Sequence, residues 1–199
     1  MASLLVSPYS GSSFAQLNGA TLRNPQITVS LLLSLVGPTG RLCAFREATA
    51  PVIDTDNPVV RLCAEGVALE GTPAEAKRRF EAAWAARTDD YEAAIAAHFL
   101  ARHQGTAQAT LHWNTLALQH AVAVTDGRTA PFMASLYLNL ADAHASLGER
   151  EAAGSALAQA DVHLAALPPD GYRTFIGMGI RRLAQELGMV DRLLVGDSQ

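Results

Sequence analysis

The stretch Gly71-Thr72-Pro73-Ala74-Glu75 separates two predicted helices and decides the fold class. Gly71 ends the apolar run before it, because glycine is common just beyond a helix C-terminus. Thr72 is a typical N-cap residue, and Pro73 suits the first helical position. Glu75, at the third position, favours the positive end of the helix dipole. The stretch therefore predicts two helices joined by a tight turn.

Similar start and stop signals recur along the rest of the chain. Glycines at 71, 105 and 148 each interrupt a helical pattern, at spacings of 34 and 43 residues. Thr88-Asp89-Asp90 and Thr106 provide two further N-caps, and Gly188 ends the last pattern. The predicted helices span residues 58–70, 73–87, 91–104, 107–124, 131–147, 149–167 and 172–187. We expect an all-α fold of three consecutive helical hairpins and a C-terminal capping helix.

Small residues recur where two antiparallel helices of one hairpin would pack closely. Around Gly71 these positions hold Ala64, Ala76 and Ala83, with Phe80 as the aromatic residue. The third hairpin has the same pattern, with Ala141, Ala153, Leu157 and Ala160. The middle hairpin matches least well, because it has His98, Thr110 and Asn114 at the equivalent positions. The three repeats are therefore predicted to be degenerate.

The composition excludes several classes of protein. Apolar residues make up 49% of the 199 residues and charged residues 17%, which is typical of a globular chain. The net charge of −4 argues against a broad nucleic-acid face. The longest apolar stretch, residues 27–37, is too short to span a membrane. Cys43 and Cys63 have no zinc-ligand spacing, so we expect no metal or cofactor and a reducing, cytoplasmic location.

The chain changes character near residue 57. Residues 1–57 contain many Ser, Gly, Pro and Thr residues, and their three arginines balance three acids. We expect an irregular or partly disordered extension here, a helical repeat domain over 58–188 and a tail over 189–199. Residues 27–36 fit either a strand or a short helix. The segment is either an added extension or the product of a start codon placed too far upstream.

Four stretches resemble a known superfamily. They are residues 87–93, RTDDYEA; 97–104, AHFLARHQ; 110–114, TLHWN; and 135–140, SLYLNL. Together with the 34-residue spacing, they are similar to the tetratricopeptide repeats of a group of small, uncharacterised bacterial proteins. The resemblance implies a right-handed solenoid that binds a protein or peptide partner. Some similar proteins are labelled ribosomal RNA adenine methyltransferases, but this sequence has neither a glycine-rich nucleotide loop nor a basic face.

The resemblance also implies which residues line the concave groove of the solenoid, because the first helix of each hairpin faces it. Arginine suits a partner carboxylate and asparagine suits a peptide backbone. Alternatively, the groove side chains pair with each other, Arg61 with Glu65 or Arg102 with Asp142. The implied groove residues are Arg61, Glu65, Glu92, Phe99, Arg102, His103, Ser135, Asn139 and Asp142.

A second cluster, His98, Trp113 and Asn114, is a candidate polar pocket. In one reading, His98, His103, Trp113 and Asn139 form the pocket of an enzyme or a small-ligand-binding protein. In the other, His98 packs against an asparagine or the backbone, and the aromatic rings fill the core. If His98 and Asn114 both point inward, they form a buried network that fixes the register of the hairpins.

The sequence favours a non-catalytic protein-interaction module. His98 and His103 lie five residues apart, which places them poorly for one metal ion. No serine has a nucleophile elbow, and neither cysteine has a histidine at a recognisable spacing, so no catalytic residue is predicted. The third hypothesis is a self-associating solenoid, closed by residues 27–36, which would make the protein a homo-oligomer.

Overall fold

The computed structural model describes residues 54–189, which fold into seven α-helices and one short 3-10 turn without any strand. The all-α prediction is therefore confirmed for these residues. The extension over 1–57 and the tail over 189–199 lie outside the described part, apart from residues 54–57 and 189. The helices are α1 Pro58–Ala68, α2 Pro73–Ala86, α3 Asp90–Ala101, α4 Ala107–Ala123, α5 Met133–Ser146, α6 Arg150–Ala165 and α7 Gly171–Glu186, with the 3-10 turn at Ala130–Phe132.

Side-chain caps begin several of these helices. Asn57 Oδ1 accepts hydrogen bonds from the backbone amides of Val59 and Val60, at 2.8 and 3.1 Å. Thr106 caps α4 as predicted, and Asp89 is the residue of its stretch that caps α3. Thr72 occupies the predicted N-cap position of α2, but its hydroxyl donates to the Leu69 carbonyl at 3.0 Å and accepts no hydrogen bond from an α2 amide.

The predicted stop at Gly148 is confirmed by the backbone. Gly148 follows α5 with φ of +76°, a conformation that L side chains rarely adopt. Its amide donates to the Ala145 carbonyl at 2.9 Å, and the Glu149 amide donates to the His144 carbonyl at 3.0 Å. This pair of bonds is the Schellman arrangement, which satisfies carbonyls at the end of the helix and turns the chain into α6.

Extensive helix contacts join neighbours in sequence. The pairs α1/α2, α3/α4 and α5/α6 pack against each other, and α2/α3, α4/α5 and α6/α7 connect one pair to the next. The helices α1/α3 and α5/α7 also touch. Three apolar clusters lie in succession, within α1–α3, α3–α5 and α5–α7. Within the described part of the chain, no helix is long and apolar enough to cross a membrane.

The predicted small-residue positions are all buried in the third hairpin, but only some of them are buried in the first. Ala141, Ala153, Leu157 and Ala160 are all fully buried, and so are Ala76, Phe80 and Ala83. Ala64 is exposed, however, so its predicted place between α1 and α2 is wrong. The close approach is at Gly66, where an added Cβ would lie 2.3 Å from Phe80 Cε1. Helix α1 is therefore rotated relative to the repeat pattern.

We predict that Gly66→Ala lowers the free energy of unfolding by about 1–3 kcal/mol, although alanine is the better helix former. The Phe80 ring is fully buried and stacks on Phe99 at 5.2 Å, so it has little room to move away from a new methyl group. Urea unfolding of the purified chain measures the change. Gly71→Ala is the matched control, since a Cβ there meets nothing within 4 Å. Equal stability of the two variants would contradict the close approach at Gly66.

Helix α7, the predicted capping helix, has one apolar face. Ile176, Ile180, Leu183 and Leu187 are buried against α5 and α6. Arg181 of the same helix is exposed. Arg182 is not on the solvated face, because its guanidinium donates to Asp142 Oδ1 at 2.9 Å and to Glu186 Oε1 at 2.7 Å.

Candidate functional site

Polar contacts join the first helices of successive hairpins. The α1 and α3 ends are connected by Asn57–Glu92 at 2.7 Å and by Glu70–Arg102 at 2.9 Å. Helices α3 and α5 are connected by His98–Asn139 at 3.4 Å. Helices α5 and α7 are connected by Asp142–Arg182. Most of the predicted groove residues therefore have partners within the chain.

The Glu92 side chain accepts several hydrogen bonds at the N-terminal end of α3. Its side chain accepts hydrogen bonds from Asn57 Nδ2 at 2.7 Å and from the amide and hydroxyl of Thr88 at 2.6 and 2.9 Å. Burial alone would raise the pKa of the Glu92 carboxyl, but these bonds and the backbone bond at Asp89 outweigh it and lower the pKa. Only 7% of Glu92 is exposed. Glu92 therefore connects α1 to α3, and its predicted role in an open groove is corrected.

The predicted groove residues Phe99 and His103 pack on the buried Phe80 ring. Phe99 is 5% exposed and lies parallel to Phe80, with the ring centroids 5.2 Å apart. The His103 ring centroid is 4.9 Å from that of Phe80, and His103 Nε2 is 3.9 Å from Glu70 Oε1. Phe99 therefore belongs to the core between α2 and α3 rather than to a partner surface.

Arg102 and Glu70 form a buried ion pair between the α1–α2 turn and the end of α3. Arg102 Nη2 lies 2.9 Å from Glu70 Oε1, and their side chains are 15% and 5% exposed. Burial lowers the pKa of the Arg102 guanidinium, and the Glu70 charge opposes this shift. The expected pairing of Arg102 with Asp142 is not formed, because Asp142 pairs with Arg182 on α7. Sequence reasoning missed Glu70; its position just before Gly71, at the end of an apolar helix, was the only signal.

His98, Asn139 and Asn114 form a chain of polar contacts across three helices. Asn139 Nδ2 lies 3.4 Å from His98 Nδ1, and Asn114 Nδ2 donates to the Asn139 carbonyl at 3.3 Å. Burial and the nearby Arg102 charge lower the pKa of His98 to about 4, so the ring is neutral at pH 7. The predicted asparagine partner of His98 is confirmed. We call Glu70, Arg102, His98, Asn139 and Asn114 the polar seam.

The remaining groove residues are more accessible. Arg61 is exposed on α1. Glu65 is also exposed and pairs with Arg79 of α2 at 3.3 Å, instead of with Arg61 as expected. Ser135, at the start of α5, is half-buried and donates to the Phe132 carbonyl at 2.8 Å. The accessible polar positions thus lie at both ends of the predicted groove.

The four residues of the small-ligand alternative are divided between separate contacts. His98 and Asn139 bond to each other, whereas His103 packs on Phe80. Trp113 lies edge-on to Trp84, with ring centroids 4.9 Å apart and an interplanar angle of 89°. Both indoles pack against core clusters, as the core-filling interpretation predicted.

Residues 54–189 contain no group of three or more His, Cys, Asp or Glu side chains that could hold a metal ion. Burial raises the pKa of the Cys63 thiol to about 12, which keeps it protonated and unreactive at neutral pH. No protein-family model, curated protein or solved structure matches this chain. The functional argument therefore depends on the geometry of the described residues.

Proposed function

We propose that residues 58–188 form a tetratricopeptide-like, right-handed solenoid and act as a non-catalytic module that binds a protein or peptide segment. The binding surface is the face formed by the first helices of the hairpins, α1, α3 and α5. Its partner contacts come from side chains that reach solvent there, chiefly Arg61, Asn139 and the exposed part of Arg102.

The observation that supports this proposal is the series of contacts that connects the first helices of the hairpins to each other and to the capping helix. Helix α1 touches α3, and α5 touches α7. The His98–Asn139 bond connects α3 to α5. A row of helices connected in this way gives one continuous surface, as in stacked helical repeats.

The polar contacts also make this surface rigid before a partner arrives. The seam and the Asp142–Arg182 pair fix the spacing of α1, α3, α5 and α7. A rigid surface loses little conformational entropy on binding, which favours affinity for an extended segment. Because Glu92 and Phe99 are buried, the partner contacts the accessible side chains of this face instead.

Arg61→Glu is expected to remove partner binding without unfolding the chain, because Arg61 is exposed and its charge would be reversed. Affinity capture from the host cell, with mass spectrometry, compares this variant with the wild type. Arg78→Glu is the matched control, since Arg78 is an exposed arginine on the second helix α2. A protein recovered with the wild type and Arg78→Glu but lost with Arg61→Glu supports the proposal. Recovery of the same proteins by all three chains contradicts it.

A further inference from the structure

We propose that Asp126-Gly127, between α4 and the 3-10 turn, is a site of spontaneous aspartate isomerisation, and that Arg128 slows this reaction in the folded chain. The product is isoaspartate, in which the main chain passes through the side-chain carboxyl carbon of residue 126. The additional main-chain carbon lengthens the loop that connects α4 to α5. The reaction needs no binding partner, so this inference is independent of the proposed function.

The reaction first releases and then takes up one water molecule. The Gly127 amide nitrogen attacks the Asp126 carboxyl carbon, a C–N bond forms, and the carboxyl hydroxyl leaves with the amide proton as water. The resulting succinimide ring then takes up water at one of its two carbonyl carbons. Opening at one carbonyl restores aspartate, and opening at the other gives isoaspartate of the same mass. Glycine favours the first step, because it has no side chain to obstruct the approach of its amide.

Asp126 and Gly127 lie in an open loop. The Asp126 side chain is 52% exposed. Gly127 has φ of +81°, and a Cβ on it would meet nothing within 4 Å. Helix α4 ends at Ala123 and the 3-10 turn begins at Ala130, so the Asp126-Gly127 bond lies outside both elements. Water and the space that the succinimide ring needs are therefore available at this bond.

Arg128 restrains the reactive carboxylate. Its amide donates to Asp126 Oδ1 at 3.0 Å, and its Nε donates to Asp126 Oδ2 at 2.7 Å. These bonds lower the pKa of the Asp126 carboxyl and so reduce its neutral form, which is the form that can release water. The Arg128 guanidinium is itself held, 4.4 Å from the centre of the Tyr91 ring and with Nη2 3.5 Å from Asp89 Oδ2. Rotation of the carboxylate for ring closure therefore breaks two charge-assisted hydrogen bonds.

A second Asp-Gly pair in the chain, Asp170-Gly171, provides an internal comparison. Asp170 is the N-cap of α7, and Gly171 is the first residue of that helix. Asp170 Oδ1 accepts the Arg173 amide at 2.9 Å, and the Asp170 carbonyl accepts the Thr174 amide at 3.1 Å. Ring closure at this pair would disrupt the first turn of α7, so isomerisation of Asp170 requires local unfolding.

The test stores the folded full chain and its Arg128→Gln variant at pH 7 and follows residue 126 by digestion with endoproteinase Asp-N and mass spectrometry. This protease cleaves before aspartate but not before isoaspartate, so the product appears as an uncleaved peptide of residues 90–141. Glutamine keeps the backbone amide donor but removes the Nε bond. We therefore expect isoaspartate to form about threefold faster, the typical effect of one exposed charge pair. Arg181→Gln is the matched control, since Arg181 is an exposed arginine on α7.

Faster isoaspartate formation at residue 126 in Arg128→Gln supports the proposal, provided that residue 170 is unchanged and Arg181→Gln matches the wild type. Equal rates in Arg128→Gln and the wild type, or no isoaspartate at residue 126 in either chain, overturn it. If Arg128→Gln unfolds, isoaspartate increases at residue 170 as well. Arg128→Lys then replaces it, because lysine keeps the charge but lacks the Nε donor, and the same increase is expected. The wild type in urea gives the rate without structure, and an equal rate at residue 126 in the folded wild type also overturns the proposal.

Discussion

Arg102→Ala is expected to lower the free energy of unfolding by about 3–5 kcal/mol, the typical cost of leaving one buried charge without its partner. The Glu70 side chain is only 5% exposed, so water cannot replace the guanidinium in the folded chain. Urea unfolding at pH 7, with wild type and variant side by side, measures the difference.

A double variant distinguishes the stability lost through an unpaired buried charge from the stability lost through side-chain packing. Glu70→Leu combined with Arg102→Met removes both charges and keeps similar side-chain volumes, so we expect stability within about 1 kcal/mol of the wild type, or above it. The free energies of unfolding of the single and double variants should therefore differ strongly. If the two variants are equally destabilised, the lost stability comes from packing of the Arg102 side chain and not from its charge.

The wild-type chain is expected to lose stability as the pH falls from about 6.5 towards 4, because of His98. The pKa of His98 is lowered to about 4 in the folded chain, from an ordinary value of 6.5. Between these values the unfolded chain binds a proton that the folded chain does not, so acid favours unfolding. Above pH 6.5 the His98 ring is neutral in the folded and unfolded chains, so its contribution to stability is complete. Since the ring keeps some contact with solvent, about 3 kcal/mol is an upper value for the loss.

His98→Gln removes the titrating group and retains an amide for contact with Asn139. Urea unfolding at pH 7, 5.5 and 4.5 should show the wild type losing stability more steeply than this variant. His112→Gln, a change to an exposed histidine of α4, is the control and should follow the wild type. If the free energy of unfolding changes with pH in the same way for the wild type and His98→Gln, His98 is protonated equally in the folded and unfolded chains.

Local sequence signals predicted the helices because each signal acts within a few residues. Thr106 and Gly148 cap or end their helices through backbone bonds to near neighbours, and both predictions are confirmed. Ala64 was misplaced because the rotation of α1 is set by a contact with another helix. Phe80 needs a position without a side chain opposite it, and Gly66 provides one. A repeat pattern places residues along a helix but does not fix this rotation.

The ion-pair partners of the predicted groove residues could not be predicted from the sequence. Glu65 pairs with Arg79 and Asp142 with Arg182, although the sequence favoured partners within the predicted groove. Each choice depends on how two separate helices are rotated towards one another, and long side chains leave several partners within reach. The type of the His98 partner was easier to predict, because a buried ring nitrogen needs a polar neighbour and Asn114 and Asn139 lie in the next two helices.

The restriction of extensive contacts to helices adjacent or next but one along the chain has a kinetic consequence. Every loop that must close to form a hairpin is short, so little chain entropy is lost before the first contacts form. Each hairpin can serve as a template on which the next one orders. Folding is therefore expected to be fast and to spread between neighbours. Among residues 54–189, α1 makes extensive contacts only with later helices and α7 only with earlier ones, so amide exchange should be faster in these two helices than in α3–α5.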